Sequence, residues 1–409
     1  MGGGPYGIED MVPAFGPGMT LILLLLTPLL WSLPVALAMS ELAAAIPDEG
    51  GYVTWTRRAF GPFWGFQVGW WSWIDSFVDV AVYPALFVAY VKFWYPAMTQ
   101  TERWLIVVGF IAVLTVLNVW GVRPTGRAAV ALAVAGLAPI VAFVVAGLGV
   151  ARVVPWKPLA PEGQELATLG LGLAVVMWNY SGWDTPSTVL GETRAPERTF
   201  RWAAFLSLAV LTASYVLPVG VGLASGAVEW GAWTTAMLPV VARSIGGDWL
   251  GHAVAAGAIV RTAGLFMSLL LTNSRLPYVL ARDHQMPAWL GAVHPRFGTP
   301  WPAVVLSAAC YAAFAAFSFK ELIVLNVWLY SLALIVELAA FVRLRVVEPD
   351  LPRPWRVPGG FAGGIVVVVF PAIFTLGAMA TAGWRNTVAG VIAALTGPVA
   401  YALFRRRAR

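Results

Sequence analysis

Long apolar runs, separated by short polar segments, repeat along the chain from residue 19 to residue 404. A helix that crosses the hydrocarbon core of a bilayer needs about 20 predominantly apolar residues. By that length we predict eleven membrane-spanning helices, at 19–43, 62–95, 104–121, 127–151, 165–190, 200–225, 249–279, 302–318, 321–343, 362–383 and 386–404. The first fifteen residues are Gly-rich and partly apolar, and they resemble the second half of another span. The pattern predicts an all-α integral membrane protein in which residues 1–409 form a single transmembrane domain.

The composition agrees with this prediction, because apolar residues make up 59% of the chain and charged residues only 11%. Soluble domains carry about 25% charged residues. The 21 tryptophans also fit, since Trp gathers at membrane–water interfaces. The single cysteine, Cys310, excludes a disulfide within the chain, and the three histidines have neither metal-ligand spacing nor cysteine partners. We therefore expect no metal site and no cofactor.

Lysine and arginine are distributed unevenly between the loops, and this bias predicts the orientation. If the C-terminus is cytoplasmic, 18 of the 26 basic residues lie on the cytoplasmic side and 7 on the outer side, while Arg261 lies within a span. Basic residues concentrate on the cytoplasmic side of membrane proteins. We predict a multi-pass protein of the cell membrane with a cytoplasmic C-terminus. The net charge of +6 then reflects topology and does not indicate a nucleic-acid partner.

Two segments combine glycine and proline in a way that interrupts a helix. The first reads Gly-Gly-Gly-Pro-Tyr-Gly at residues 2–7, and the second reads Trp-Asn-Tyr-Ser-Gly-Trp-Asp-Thr-Pro at residues 178–186. Gly permits backbone angles that a helix does not use and Pro removes a donor, so both segments predict unwound backbone at membrane depth. Such backbone is tolerated only where it is buried or lines a wet cavity, and its freed polar groups can bind a solute. Either segment alone could be a simple proline kink, but two breaks five spans apart fit an inverted five-helix repeat.

Four of the acidic residues inside the predicted spans are candidates for a functional role. Asp75 and Asp79 are four residues apart and share one helical face, so either one is protonated or a cation lies near them. They are candidates for proton coupling or for binding an amine, and the alternative is a polar stripe satisfied by neighbouring hydroxyls. Asp184 in the second break could bind solute or cap the half-helix that follows it. Glu337 could pair with a neighbouring helix, or less readily contact the solute.

Two further charged residues complete the candidates. Arg261 is the main opposing charge within the spans, where it could neutralise an aspartate or bind the carboxylate of a solute. Glu192 lies at the cytoplasmic end of its span next to Arg194 and Arg198, and this position favours a gate or a surface ion pair.

Four segments, together with Asp79 and the Tyr83-Pro84 pair, resemble the amino acid–polyamine–organocation superfamily. Within it they are most similar to the branch of L-type amino acid and plant-type polyamine uptake transporters. The segments are residues 3–10, residues 47–53 leading to 60–65, residues 178–180 with 183–184 and 191–192, and residues 298–300. The resemblance covers most of the chain.

This resemblance implies a leucine-transporter-like fold, with inverted five-helix repeats at 1–151 and 165–343 and two extra helices at 362–404. It also implies alternating access, usually driven by protons or by exchange. The two breaks would then cradle the solute from helices 1 and 6, which makes Glu9 and Asp79 candidate amine ligands. The other contact candidates are Gly4, Tyr6, Gly7, Trp178, Asn179, Tyr180 and Trp183.

The sequence departs from the pattern of that superfamily in three places. Helix 1 starts at its break, so either the start is late or the inner half of the helix is missing, and in the second case we expect leaky transport. The first break reads Gly-Gly-Pro-Tyr-Gly, which differs from the commoner amino acid permease form. Arg261 stands where the polyamine branch should have a small polar residue, and a buried cation disfavours a polycationic solute. No lysine occurs at 127–151 to mimic a bound sodium ion, so the coupling ion stays open.

These features predict secondary active transport of amino acids, coupled to protons or to exchange, with polyamine uptake as the alternative. A zwitterionic amino acid would satisfy both the carboxylates and Arg261, whereas a diamine would satisfy the carboxylates alone. A membrane-embedded enzyme is disfavoured, because none of the three histidines lies mid-span beside a nucleophile. A sensor should carry a signalling domain and a channel should carry repeated pore loops, and the sequence indicates neither.

Overall fold

The chain folds as a bundle of α-helices, and the computed structural model describes residues 5–163, 175–317 and 319–407. No β-strand occurs among these residues. We number the helices in chain order as α1 Met11–Phe15, α2 Pro17–Thr27, α3 Leu33–Ala45, α4 Tyr52–Phe60, α5 Pro62–Asp79, α6 Val82–Val91, α7 Gln100–Val119, α8 Val122–Leu148, α9 175–180, α10 Pro196–Ser225, α11 Leu238–Gly246, α12 Asp248–Asn273, α13 Arg275–Arg282, α14 Trp301–Phe314, α15 Phe319–Val347, α16 Gly360–Thr381 and α17 Trp384–Arg407.

Eight helical segments in the described ranges are long and apolar enough to cross a membrane. Each of them overlaps one of the predicted spans. They are Pro17–Ala45, Pro62–Val91, Gln100–Val119, Arg123–Leu148, Pro196–Ser225, Asp248–Arg282, Gly360–Thr381 and Trp384–Phe404. A π-helical turn, Pro28–Ser32, joins α2 to α3, because Pro28 and Pro34 disturb the regular ladder of the first of these segments.

The remaining three predicted spans have particular structures. The span at 302–318 is the 14-residue helix α14, and the span at 321–343 lies inside the 29-residue helix α15. The span at 165–190 falls partly outside the described residues. Its described part contains α9, the non-helical residues 181–184 and most of a 3₁₀ helix, Thr185–Glu192. The division into two inverted repeats stays a prediction.

Glycine allows the central helix α12 to approach α8 closely. A Cβ at Gly136 of α8 would come within 2.9 Å of the Arg261 Cβ and 3.0 Å of the Gly257 carbonyl oxygen on α12. On α12, a Cβ at Gly264 would lie 3.0 Å from the Cβ of Leu132. Small residues commonly allow helix backbones to meet in a membrane, where dispersion and not the hydrophobic effect drives association. The paired helices α8 and α12 form the wall against which the first break packs.

The outer surface of the bundle is apolar where lipid would contact it. On α7 and α8, Leu105, Val130 and Val145 are 68%, 65% and 65% exposed. A soluble protein rarely presents such a continuous apolar surface, whereas a bilayer makes it favourable. The polar and charged groups instead lie at the helix ends and along the inner faces of α5, α9, α12 and α15.

Candidate functional site

The first break is the non-helical segment that precedes α1. Gly7 has φ +90, a conformation that only glycine adopts readily. Its N–H donates to Oε2 of Glu9 over 2.7 Å, and the Tyr90 hydroxyl donates to Oε1 of Glu9 over 2.7 Å. Glu9 is fully buried. Its carboxylate stabilises the non-helical segment through Gly7 and links that segment to α6 through Tyr90. The candidate Gly4 lies outside the described residues.

Tyr6 anchors the same break to the α8–α12 wall. Its hydroxyl lies 3.4 Å from the carbonyl oxygens of Gly136 and Val254, to which it donates. Its ring meets that of Tyr90 edge to face, with centroids 5.3 Å apart. A Cβ at Gly257 would come within 2.9 Å of the Tyr6 hydroxyl, so the glycine makes room for this side chain. Tyr6 is fully buried and acts as a structural part of the break.

The second break follows α9, as the sequence predicted. The helix stops at Tyr180, the residues 181–184 are non-helical, and Gly182 has φ +84. The hydroxyl of Tyr215 donates to the freed carbonyl of Asn179 over 2.9 Å, and Trp183 Nε1 donates to the carbonyl of Tyr180 over 2.5 Å. Aromatic side chains therefore satisfy the unwound carbonyls, and Trp183 is buried in that role.

Two more candidates of the second break are held by the same kind of contact. The Tyr180 hydroxyl donates to the Leu24 carbonyl of α2 over 2.7 Å. The side-chain amide of Asn179 donates to the Val175 carbonyl over 2.9 Å, while its Oδ1 is buried and has no hydrogen-bond partner within the described ranges. An unpaired buried acceptor of this kind can receive a donor from a ligand.

Asp79 and Trp178 meet between α5 and α9. The indole Nε1 of Trp178 donates to Oδ1 of Asp79 over 2.9 Å, and the Trp178 ring lies 6.0 Å from that of Tyr83. Asp79 is the last residue of α5 and its side chain is partly exposed. It therefore presents a carboxylate beside two aromatic rings, an arrangement that can attract a cation.

Two other carboxylates extend this acidic region along α5 and the second break. Asp75 is 7% exposed and accepts a hydrogen bond from Asn326 of α15 over 3.0 Å. Asp184 accepts from the Tyr330 hydroxyl over 2.9 Å, and that hydroxyl accepts from the Gly182 N–H over 3.2 Å. The side chain of Asp184 bonds to Tyr330 and does not cap the following 3₁₀ helix. No Lys or Arg in the described part of the chain forms an ion pair with Asp75, Asp79 or Asp184.

Arg261 does not neutralise an aspartate as we expected. Among the described residues it forms no ion pair, and its guanidinium Nε has no hydrogen-bond partner. The expectation was wrong because the neighbouring groups that act on Arg261 are three phenols, those of Tyr215, Tyr83 and Tyr6. Its place within an apolar span could be predicted from the sequence, but the direction of its side chain could not.

Glu192 lies in a set of ion pairs at the end of the 3₁₀ helix that follows the second break. It accepts from Nε of Arg275 over 2.9 Å, and Arg275 is only 1% exposed. Nearby, Glu49 accepts from Arg282 over 3.0 Å, and Arg57 pairs with Asp283. Burial and the charge of Glu192 raise the pKa of Glu49, while Arg282 and Arg275 oppose this shift. These pairs connect the loop before α4 with the 3₁₀ helix and with α13.

Sequence reasoning missed several residues that hold the site together. The phenols of Tyr90, Tyr215 and Tyr330 each bond to a break or to its carboxylate. Their position within apolar spans was a usable signal, because a buried Tyr hydroxyl needs a partner. Glu41 was also missed. It is 1% exposed, and it pairs with Arg345 and Arg353 near the start of the loop that precedes α16.

Comparison with known proteins gives consistent matches along the chain. The sequence model of the family described as amino acid permease matches residues 2–399. Polyamine transporter PUT1 of Oryza sativa subsp. japonica is 35% identical over 90% of this chain and 69% of its own length. A probable polyamine transporter of Arabidopsis thaliana is 36% identical over 96% of this chain and 82% of its own length. Polyamine transporter RMV1 of Arabidopsis thaliana is 32% identical over 91% of this chain and 76% of its own length.

Proposed function

The chain belongs to the amino acid permease family, a family of membrane transporters and not of enzymes, and we propose that it carries polyamines across the cell membrane by alternating access. The observation that carries the proposal is the carboxylate of Asp79, partly exposed beside Trp178 at the second break. From the sequence alone we expected amino acids ahead of polyamines. The relatives named as polyamine transporters favour the second of these substrates.

An ammonium group fits the surroundings of Asp79. The hydrogen bond from Trp178 occupies Oδ1, and Oδ2 remains able to accept from the ligand. The rings of Trp178 and Tyr83 add attraction for a cation, worth about 0.5–2 kcal/mol for such contacts in general. Asp75 lies one helical turn away, so a second positive charge on the same ligand would lower the repulsion between the two carboxylates.

The inner ion pairs provide a gate in this proposal. Release to the cytoplasm, which lies on the side of the C-terminus, requires the 3₁₀ helix to part from α13. The pair of Glu192 with Arg275 and the pair of Glu49 with Arg282 would then break. Arg275 is almost fully buried when it is paired. Opening exposes its guanidinium to water, and the regained hydration compensates for the lost ion pair.

Thermal unfolding in detergent with a panel of solutes tests the proposal. A ligand at a hundredfold excess over its Kd stabilises the native state by about 2.7 kcal/mol. We expect spermidine and putrescine to raise the unfolding temperature of the wild-type protein. The same polyamines should have no effect on Asp79→Asn, while the remote variant Glu348→Gln responds like the wild type. An unchanged polyamine response in Asp79→Asn would contradict the site.

Amino acid transport is the second candidate, and Arg261 is the observation that favours it. Its Nε lacks a hydrogen-bond partner among the described residues, so it could receive the carboxylate of a zwitterion. The same panel separates the two functions. Stabilisation by neutral amino acids, without any by polyamines, would favour this candidate.

A further inference from the structure

Glu337 is a buried carboxylate that the proposed transport site does not use. It lies in α15 and is 1% exposed, and its Oε2 has no hydrogen-bond partner within the described ranges. No Lys or Arg side chain in those ranges forms an ion pair with it. An ionised carboxylate in this setting is unfavourable, because neither water nor a counter-charge replaces its lost hydration.

The groups that face Glu337 come from three elements. Asp184 of the second break is the charge that acts on it. Tyr52, at the start of α4, lies within the electrostatic reach of Asp184, Glu337 and Asp75. Tyr330 lies seven residues earlier on α15, two turns or about 10.5 Å along the helix, and its hydroxyl is bonded to Asp184. Glu337 therefore shares its surroundings with a second carboxylate and with two phenols.

Most other charged groups on the helices that pack against α15 have partners other than Glu337. On α5, Asp79 is bonded to Trp178 and Asp75 to Asn326. The arginines that follow Glu337 in the chain, and those of α4, also have partners of their own. Arg345 and Arg353 pair with Glu41 of α3, Arg343 donates to the Ala59 carbonyl, and Arg57 and Arg58 of α4 pair with Asp283 and Glu348. The other titratable side chains described on those helices are Tyr83, Tyr90, Arg385 and Tyr401, and α16 has none.

We propose that Glu337 holds a proton in the polyamine-free transporter and releases it when an ammonium group pairs with Asp184. This proposal rests on the proposed polyamine function. A proton fits where a hydrated cation does not, since the Oε2 atom is inaccessible to solvent. Two carboxylates that interact in a dry site do not both ionise readily, and Asp184, with its bond from Tyr330, is the better stabilised of the two.

The release follows from the sign of the charges. While Asp184 is ionised and unpaired with a ligand, its negative charge favours the protonated form of Glu337. An ammonium group on Asp184 cancels that negative charge, which removes the repulsion that opposes ionisation of Glu337. The O–H bond at Glu337 breaks and its proton passes to water. Polyamine binding therefore tightens as the pH rises, because binding and proton release are linked.

Isothermal titration calorimetry of spermidine binding, in buffers of different ionisation enthalpy, counts the protons released. We expect about one proton per spermidine from the wild type through this linkage, and none from Glu337→Gln, which still binds. Glu348→Gln is the control and should release protons like the wild type. If Glu337→Gln folds poorly, Glu337→Asp replaces it and should keep the release. The same proton count in Glu337→Gln, or spermidine binding without release in the wild type, would overturn the proposal.

Infrared difference spectroscopy reads the proton without any ligand. We expect a protonated carboxyl band in the ligand-free wild type that is missing in Glu337→Gln. Absence of that band from the wild type would overturn the protonation of Glu337. Failure of spermidine to bind the wild type, with the band present, would instead contradict the polyamine function and leave the proton on Glu337 established.

Discussion

Gly51 lies where the loop between α3 and α4 docks on the 3₁₀ helix that follows the second break, and replacing it tests that contact. It has φ +45 and immediately precedes α4. The N–H of Tyr52 donates to the Ser187 hydroxyl over 3.2 Å, which fastens the loop to the 3₁₀ helix. A Cβ at Gly51 would come within 2.5 Å of the carbonyl carbon of Ser187. The contact is with backbone, so no side-chain rotation relieves it.

The expected cost has two parts that a matched glycine can separate. A residue other than glycine at such a φ costs about 1–3 kcal/mol. Overpacking a tight contact costs about 1–3 kcal/mol more. Gly61 precedes α5 with φ +93, and a Cβ there would have no atom within 4 Å. Gly61→Ala therefore carries the backbone strain alone, and Gly51→Ala should be less stable by the overpacking cost.

Thermal unfolding of both variants, followed by the fluorescence of the native tryptophans, measures this difference. We expect Gly51→Ala to unfold at a clearly lower temperature than Gly61→Ala, and both to unfold below the wild type. The reasoning requires an ordered loop against the break. Equal unfolding temperatures for the two variants would refute it, because strain alone would then account for the change at residue 51.

Two further predictions concern the ion pairs of Glu41 and of Glu348. Glu41→Gln should lower the free energy of unfolding by about 3–5 kcal/mol, because it leaves the buried guanidinium groups of Arg345 and Arg353 without their carboxylate. Denaturant unfolding measures this loss, and a loss below about 1 kcal/mol would contradict the prediction. The hydrogen bond from Arg58 lowers the pKa of Glu348, and the pair is partly exposed. It therefore contributes a small stabilisation above about pH 4.3, and this stabilisation is lost as the pH falls through the lowered pKa. Glu348→Gln should therefore flatten the acid side of the curve of unfolding temperature against pH, and an unchanged acid side would contradict this assignment.

The membrane-spanning helices could be predicted from the sequence, because a bilayer requires long apolar runs with internal hydrogen bonds. The predicted span 362–383, for example, corresponds to the helix Gly360–Thr381. The second break was also predictable, since Gly182 and Pro186 both disfavour a regular helix and lie four residues apart in one segment. The resemblance to the permease superfamily was confirmed by the match of the family over residues 2–399.

The partners of the site were not predictable in the same way. Glu9 is bonded by Tyr90 and Asp184 by Tyr330, pairs that are 81 and 146 residues apart in the chain. Such contacts depend on how the helices rotate and pack, and apolar helices in a membrane have only weak periodicity to indicate a buried face. The wrong expectation for Arg261 has the same origin.

Uptake of radiolabelled spermidine into sealed proteoliposomes tests the polyamine function most directly. We predict time-dependent accumulation in vesicles that contain the wild-type protein, competition by unlabelled putrescine, and no competition by neutral amino acids. Vesicles that contain Asp79→Asn should match protein-free vesicles. Accumulation of a neutral amino acid without any accumulation of spermidine would contradict the account.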